Sequence, residues 1–237
     1  MSDHAFDKFA DRYDGWFLKN RNILESEVRL IAHALGSPGS ILSVGCGSGL
    51  FESLLRKEHG IEIIDGIEPL EDMAAVARKR GMDVKIGTAA DLPYPSESFD
   101  TVLFNGSPSC IADLGKAFEE AFRVTKAGGH VVVADVPAES GYGLLYQFAA
   151  TQTSWEDPTL LGIAPAHPYP IDMAAAANWR TTAAKVDLLR LNGFSDFEYA
   201  QTLTTHPRFS DYEAEDPEEG YDRGSYVAIR ARKVELS

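Results

Sequence analysis

Apolar residues return at helical spacing from the start of the chain. Phe6, Phe9, Tyr13, Trp16 and Phe17, then Ile23, Leu24, Val28, Leu30, Ile31 and Leu35, recur every three or four positions or in adjacent pairs, the period that gathers side chains on one helix face. The pattern predicts a helical preface over 6–35, stopped by the turn from Gly36 to Gly39. Beyond it the period changes. Short apolar runs at 41–44, 61–67, 82–86, 101–104 and 130–134 alternate with helical stretches at 50–58, 70–80 and 114–124, with Gly60, Gly81 and the Gly128-Gly129 pair as stops. Continuous apolar runs separated by amphipathic helices are what buried parallel strands with crossover helices require. The expected fold is therefore α/β, a Rossmann-like doubly wound sheet of about seven strands. After residue 138 the pattern gives a helix at 142–152, a segment rich in Pro, Trp and Tyr at 155–169, one helix at 173–191 ended by Asn192-Gly193, and strands at 197–204 and 226–231. No helix separates those two strands, so they should pair antiparallel, leaving an antiparallel C-terminal strand in a mostly parallel sheet.

Composition narrows the function classes. The 237 residues are 44% hydrophobic and 24% charged, with a formal net charge of -14. That charge repels phosphate backbones, and no Lys/Arg cluster interleaved with aromatics offsets it, so no nucleic-acid partner is expected. Asp3, His4, Asp7 and Lys8 stand where a targeting segment would be basic and then apolar, and no run approaches a membrane span. The expectation is a cytoplasmic protein without a membrane partner, a monomer or homodimer, with Cys46 and Cys110 as free thiols. The histidines His4, His33, His59, His130, His167 and His206 show no paired ligand spacing, so no metal site is expected.

Between the first strand and its helix runs Val44-Gly45-Cys46-Gly47-Ser48-Gly49-Leu50. A tight glycine turn opening a helix exposes backbone N–H groups that favour an anionic group, which suits a nucleotide-like cofactor. A dinucleotide fingerprint would need its third glycine at position 50, where Leu50 stands, so the spacing argues against NAD. Glu68 ends the second strand about twenty residues on, where a carboxylate can accept from both hydroxyls of a ribose.

With these residues in view, the chain resembles the class I S-adenosylmethionine-dependent methyltransferases, within them the small-molecule group that includes the ubiquinone and menaquinone biosynthesis C-methyltransferases. The resemblance spans about 6–137. It rests on the glycine loop, on Gly66-Ile67-Glu68-Pro69 with Met73 following, on Gly87-Thr88-Ala89-Ala90-Asp91-Leu92-Pro93 leading to Ser98-Phe99-Asp100, and on Phe118, Arg123-Val124 and Lys126-Ala127-Gly128-Gly129 before a strand. It implies S-adenosylmethionine as cofactor and S-adenosylhomocysteine as product. It further implies that Gly45, Cys46, Gly47, Ser48 and Gly49 hold the methionine end, that Glu68, with Pro69 beside it, takes the ribose, that Thr88 and Ala89 border the adenine, and that Asn105 lines the site near the sulfonium. Tyr13 is placed to close over the cofactor or, equally, to serve as a core aromatic of the preface. The family usually carries an acid where Ser43 stands here and an acid or amide where Thr88 stands, which bears on affinity more than on chemistry.

On this reading the chain is a single methyltransferase domain, with a helical cap over 1–39, a cofactor-binding core over 40–137 and a substrate-side insertion with closing strands over 138–237. The implied activity is methyl transfer to a small-molecule acceptor by in-line displacement at the sulfonium methyl; the alternative is a module that binds the cofactor or its product without turnover. Aromatic residues cluster in the cap and the insertion, where acceptors are generally bound in this family. Trp16, Tyr142, Tyr146 and Trp155 are the candidates for acceptor contact, and Phe17, Phe148, Tyr169 and Trp179 belong to the same aromatic set. Should a base assist, His167 is the first candidate and His206 the second. The acidic run 211–222 reads as a solvated loop.

Overall fold

The computed structural model describes residues 7–152 and 154–234; Phe6, with which the preface was expected to begin, lies outside them, as do Asp3 and His4. The preface is two helices, α1 (Asp7–Lys19) and α2 (Arg21–Leu35). They meet at Asn20, whose side-chain amide donates to the Trp16 carbonyl at 2.9 Å and so closes α1 where α2 starts. The Rossmann-like core follows as β1 (Ile41–Val44), α3 (Leu50–His59), β2 (Asp65–Glu68), α4 (Glu71–Lys79), β3 (Asp83–Ile86), β4 (Phe99–Asn105), α5 (Leu114–Val124) and β5 (Thr125–Asp135). The remainder contributes α6 (Gly141–Gln152), α7 (Ile171–Ala175), α8 (Thr182–Leu191), β6 (Phe194–Thr202), the two-residue β7 (Glu218–Glu219) and β8 (Tyr226–Lys233).

The sheet has eight strands in the order β3-β2-β1-β4-β5-β8-β6-β7. β3 to β5 pair in parallel, and β8 inserts antiparallel between β5 and β6. The expected antiparallel C-terminal strand is thus present, with β7 as a short addition at the edge. Alternation along the central strands sorts the two faces. Leu103, Val132 and Ala134 join the α2, α3 and α4 side, while Val102, Phe104, Val131 and Val133 join the α5 and α8 side. β2 is shorter than the apolar run 61–67 because its partners limit it. β1 offers register only from Asp65 to Ile67, and β3 only from Asp65 to Glu68.

The single helix expected over 173–191 is broken. Between α7 and α8 the Arg180 guanidinium donates to the carbonyls of Pro108, Ile111 and Ala112 at 2.8–3.0 Å, and the Asn178 N–H donates to the Ser109 carbonyl at 2.7 Å. These bonds hold the backbone extended against the segment after β4, and α8 restarts with Thr181 as N-cap, accepting from Ala184 N–H. The acidic run 211–222 is also more than a solvated loop. Asp211 accepts from the N–H groups of Asn22 and Ile23 at the start of α2, and Glu215 accepts from Thr204 and Thr205. No helix among the described residues is long and apolar enough to cross a membrane.

Candidate active site

The order of the sheet places β1 between β2 and β4, so the chain leaves the ends of β1 and β4 in opposite directions and opens a crevice there. A cavity of about 770 Å³ occupies it. At one end stands the glycine loop. Gly45, Gly47 and Gly49 have φ of 69°, 57° and 71°, a left-handed backbone in which side chains are strained. Space forbids them as well: a Cβ on Gly45 would lie 2.6 Å from that of Ser107, and one on Gly49 3.2 Å from the Ala77 backbone. The loop is bound to β2 by the Gly45 N–H donating to the Ile67 carbonyl at 2.8 Å.

Glu68 joins loop and strand. One carboxylate oxygen accepts from Gly47 N–H at 2.9 Å and the other from Leu70 N–H at 3.0 Å. Burial raises its pKa, partly offset by those two amides. Pro69, Thr88 and Ala89 continue the wall beside it, and Asn105 enters from the end of β4. The Asn105 Oδ1 accepts from the Tyr226 hydroxyl at 2.7 Å, so its amide N–H₂ is the group left for the cavity.

The other end is aromatic. Tyr13, Trp16 and Phe17 of α1 and Tyr142 and Tyr146 of α6 line it with Tyr169, Trp179 and Tyr226, and Tyr169 bridges Trp16 and Tyr146. Ring contacts link the set: edge-on from Trp16 to Phe17 at 4.8 Å and to Tyr169 at 5.0 Å, and tilted from Tyr142 to Tyr146 at 5.2 Å between ring centroids. Asp135 also lines the cavity and is answered by Lys185 at 3.0 Å, both side chains nearly fully buried. Glu27 of α2 lines it too, 5% exposed, and burial, reinforced by the Asp135 carboxylate, pushes its carboxyl well above the usual range.

Comparison with known proteins now decides the family. A methyltransferase-domain model matches residues 42–133. The chain is 33% identical to a solved Thermotoga maritima protein described as an S-adenosylmethionine-dependent methyltransferase, possible histamine N-methyltransferase, covering 97% of this chain and 99% of that one with a TM-score of 0.81. It is 32% identical over 157 residues to the demethylmenaquinone methyltransferase of Thermus thermophilus, covering 60% of this chain and 70% of the other. A ubiquinone/menaquinone biosynthesis C-methyltransferase from Desulfotalea psychrophila is 26% identical over 85% of each chain.

The chain belongs to the S-adenosylmethionine-dependent methyltransferases.

In this methyltransferase, then, S-adenosylmethionine is the cofactor, and the expected site residues divide. Tyr13, Gly45, Gly47, Glu68, Pro69, Thr88, Ala89 and Asn105 line the cavity, as do Trp16, Tyr142 and Tyr146. Ser48, Cys46, Gly49, Trp155 and His167 are not in its wall. The Ser48 hydroxyl turns away to donate to Asp14 Oδ1 at 2.5 Å. Cys46 packs its sulfur over Gly66, and Gly49 sits over α4, where it starts α3. Trp155 backs the wall instead of forming it, its indole N–H donating to the Tyr169 carbonyl and its ring 5.8 Å from Tyr146. The His167 side chain is exposed, and the residue's contribution is its carbonyl, which accepts from Trp16 Nε1 at 2.9 Å. Its imidazole is not part of the cavity lining. His206 is likewise outside it, its Nδ1 accepting from the Arg208 N–H.

Glu27, Asp135 and Tyr226 were missed by sequence reasoning, although Glu27 left a signal. It falls four residues after Ile23 and three after Leu24, an acid on the apolar stripe of α2. Asp14 is a further addition: it accepts from Ser48 and pairs with Arg80 at 2.6 Å, while Arg80 donates to the Ser48 carbonyl at 2.7 Å. The methyltransferase thus latches α1 onto its glycine loop. Asp14→Ala is expected to cost about 1–3 kcal/mol through the unpaired Ser48 hydroxyl and Arg80. Denaturant unfolding measures it, and an unchanged midpoint would show the latch to be inert.

Proposed function

We propose that the protein transfers the methyl group of S-adenosylmethionine to a small-molecule acceptor seated against the aromatic wall, by in-line displacement at the sulfonium methyl. The observation that carries this reading is one continuous cavity with the glycine loop and Glu68 at one end and the aromatic rings at the other. Its volume lies within the roughly 300–1,000 Å³ of small-molecule sites. The bound cofactor supplies a methyl group already made electrophilic by the sulfonium, so the protein's work is to position both partners and exclude water.

The residues present fit that cofactor. Gly45 and Gly47 line the cavity with bare backbone, with no room for a Cβ beside Ser107 and Met73, so they would hold the methionine end. Glu68, braced by two amides, would accept from the ribose hydroxyls, and Thr88 and Ala89 would border the adenine. Asn105, oriented by Tyr226, would present its amide near the sulfonium. Tyr13 and Trp16 would close the space from α1, completing a single functional unit over the described residues. Relatives named for demethylmenaquinone or as a possible histamine N-methyltransferase support a small acceptor, as does the net charge of -14, which disfavours nucleic acid.

Isothermal titration of the purified protein with S-adenosylmethionine and S-adenosylhomocysteine tests the reading, with NADH as control. Micromolar binding of the first two and none of NADH is expected. Silence with both would overturn the placement of the cofactor.

A further inference from the structure

Glu27 is the one carboxylate of the cavity wall that nothing answers among the described residues. Glu68 is held by two loop amides and Asp135 by Lys185. Asp172 pairs with Arg12 at 2.9 Å, and Asp113 caps α5 by accepting from Lys116 N–H. Glu27 has neither a hydrogen bond nor an ion pair there, although it is 5% exposed and borders the cavity. Among the described residues no Lys, Arg or His lines that cavity, so no described side chain of the wall is a cation that could swing over to it.

A buried carboxyl without a partner is costly in an apolar core, where Leu or Met would pack at no such cost. The space it faces is built for the missing charge. Tyr13, Tyr142, Tyr146, Tyr169 and Tyr226 line the same cavity as Glu27. The electron-rich faces of tyrosines and tryptophans attract cations, more strongly when water is excluded. An anionic acceptor would meet Glu27 with no cation in the described wall to offset it, and a neutral one would leave the charge of Glu27 uncompensated.

Resting on the function proposed above, we propose that the acceptor is a small amine with an apolar or aromatic body, whose cationic group pairs with Glu27 while the surrounding rings hold its frame. Glu27 is thereby the residue that selects acceptors by charge. The glycine loop and Glu68 at the opposite end serve the cofactor.

The test uses protein saturated with S-adenosylhomocysteine at neutral pH. 2-Phenylethylamine, tyramine and hexylamine are titrated in, each beside the alcohol and the carboxylate of the same carbon frame. At least one amine is expected to bind ten times more tightly than its alcohol, with its carboxylate silent. Glu27→Gln should weaken that amine tenfold or more and bring amine and alcohol within threefold, while the affinity for S-adenosylhomocysteine stays unchanged.

Alcohols or carboxylates binding as well as amines would overturn the proposal, as would silence of every amine on the loaded protein. So would an undiminished amine preference in Glu27→Gln, or an equal loss of S-adenosylhomocysteine affinity, which would assign Glu27 to the cofactor. The comparison of isosteres on the unmutated protein stands even if the variant does not fold. Failure of S-adenosylhomocysteine itself to bind counts against the proposed function, a separate result read before any amine is added.

Discussion

Glu68→Ala is expected to weaken binding of S-adenosylhomocysteine by about 100-fold or more. The carboxylate does two things that alanine cannot. It accepts from Gly47 and Leu70 N–H groups, holding the loop against β2, and in the proposed pose its remaining lone pairs take the ribose hydroxyls. Hydrogen bonds to charged acceptors contribute roughly 1.5–3 kcal/mol each, and about 3 kcal/mol corresponds to a factor of more than 100 in affinity. Glu68→Gln keeps one acceptor oxygen but loses the charge, and should fall between the two. Calorimetric titration of the three proteins measures the series. A dissociation constant for the alanine variant within threefold of the original would remove Glu68 from the cofactor site.

The largest effect on stability is expected from Lys185→Met, because it strands Asp135. Lys185 reaches from α8 to the end of β5 and meets the carboxylate at 3.0 Å, with side chains 3% and 5% exposed. Removing one member of a buried pair leaves an uncompensated charge and typically costs about 3–5 kcal/mol, whereas replacing both members is often neutral. Lys185→Met should therefore lower the urea-unfolding free energy at pH 7 by that amount, and adding Asp135→Asn should restore most of it. A single variant within 1 kcal/mol of the original protein would show that the pair carries no such weight.

What could be read ahead of the structure was local or periodic. The glycine loop, Glu68 and the motif around Thr88 lie within a strand and its following turn, so residue order alone puts them at the crevice. Helix α5 matched the expected bounds because its apolar stripe and its Asp113 N-cap are both in the local sequence. Where expectations failed, the deciding partners were distant. The break between α7 and α8 comes from Arg180 bonding to carbonyls some seventy positions away, against which the helical periodicity of 173–191 had no defence. His167 and Trp155 have the right chemistry for a site, but their roles depend on which way the loop turns. That loop spends its polar contacts fastening α1 and Tyr169. Ser48 was drawn off by Asp14, from a helix that periodicity could place but not orient.

The amino-acid order by itself determined the doubly wound core and the glycine-loop end of the cavity, because strand, glycine turn and helix follow one another within a few residues and each imposes its conformation on the next. Tertiary structure alone decided the aromatic end of the cavity. That wall is assembled from α1, α2, α6, the segment around Trp179 and the last strand β8, which enters the sheet beside β5 and carries Tyr226 to Asn105. Whether an acid such as Glu27 ends in water or in an apolar cavity depends on what packs over it, and no local pattern holds that information.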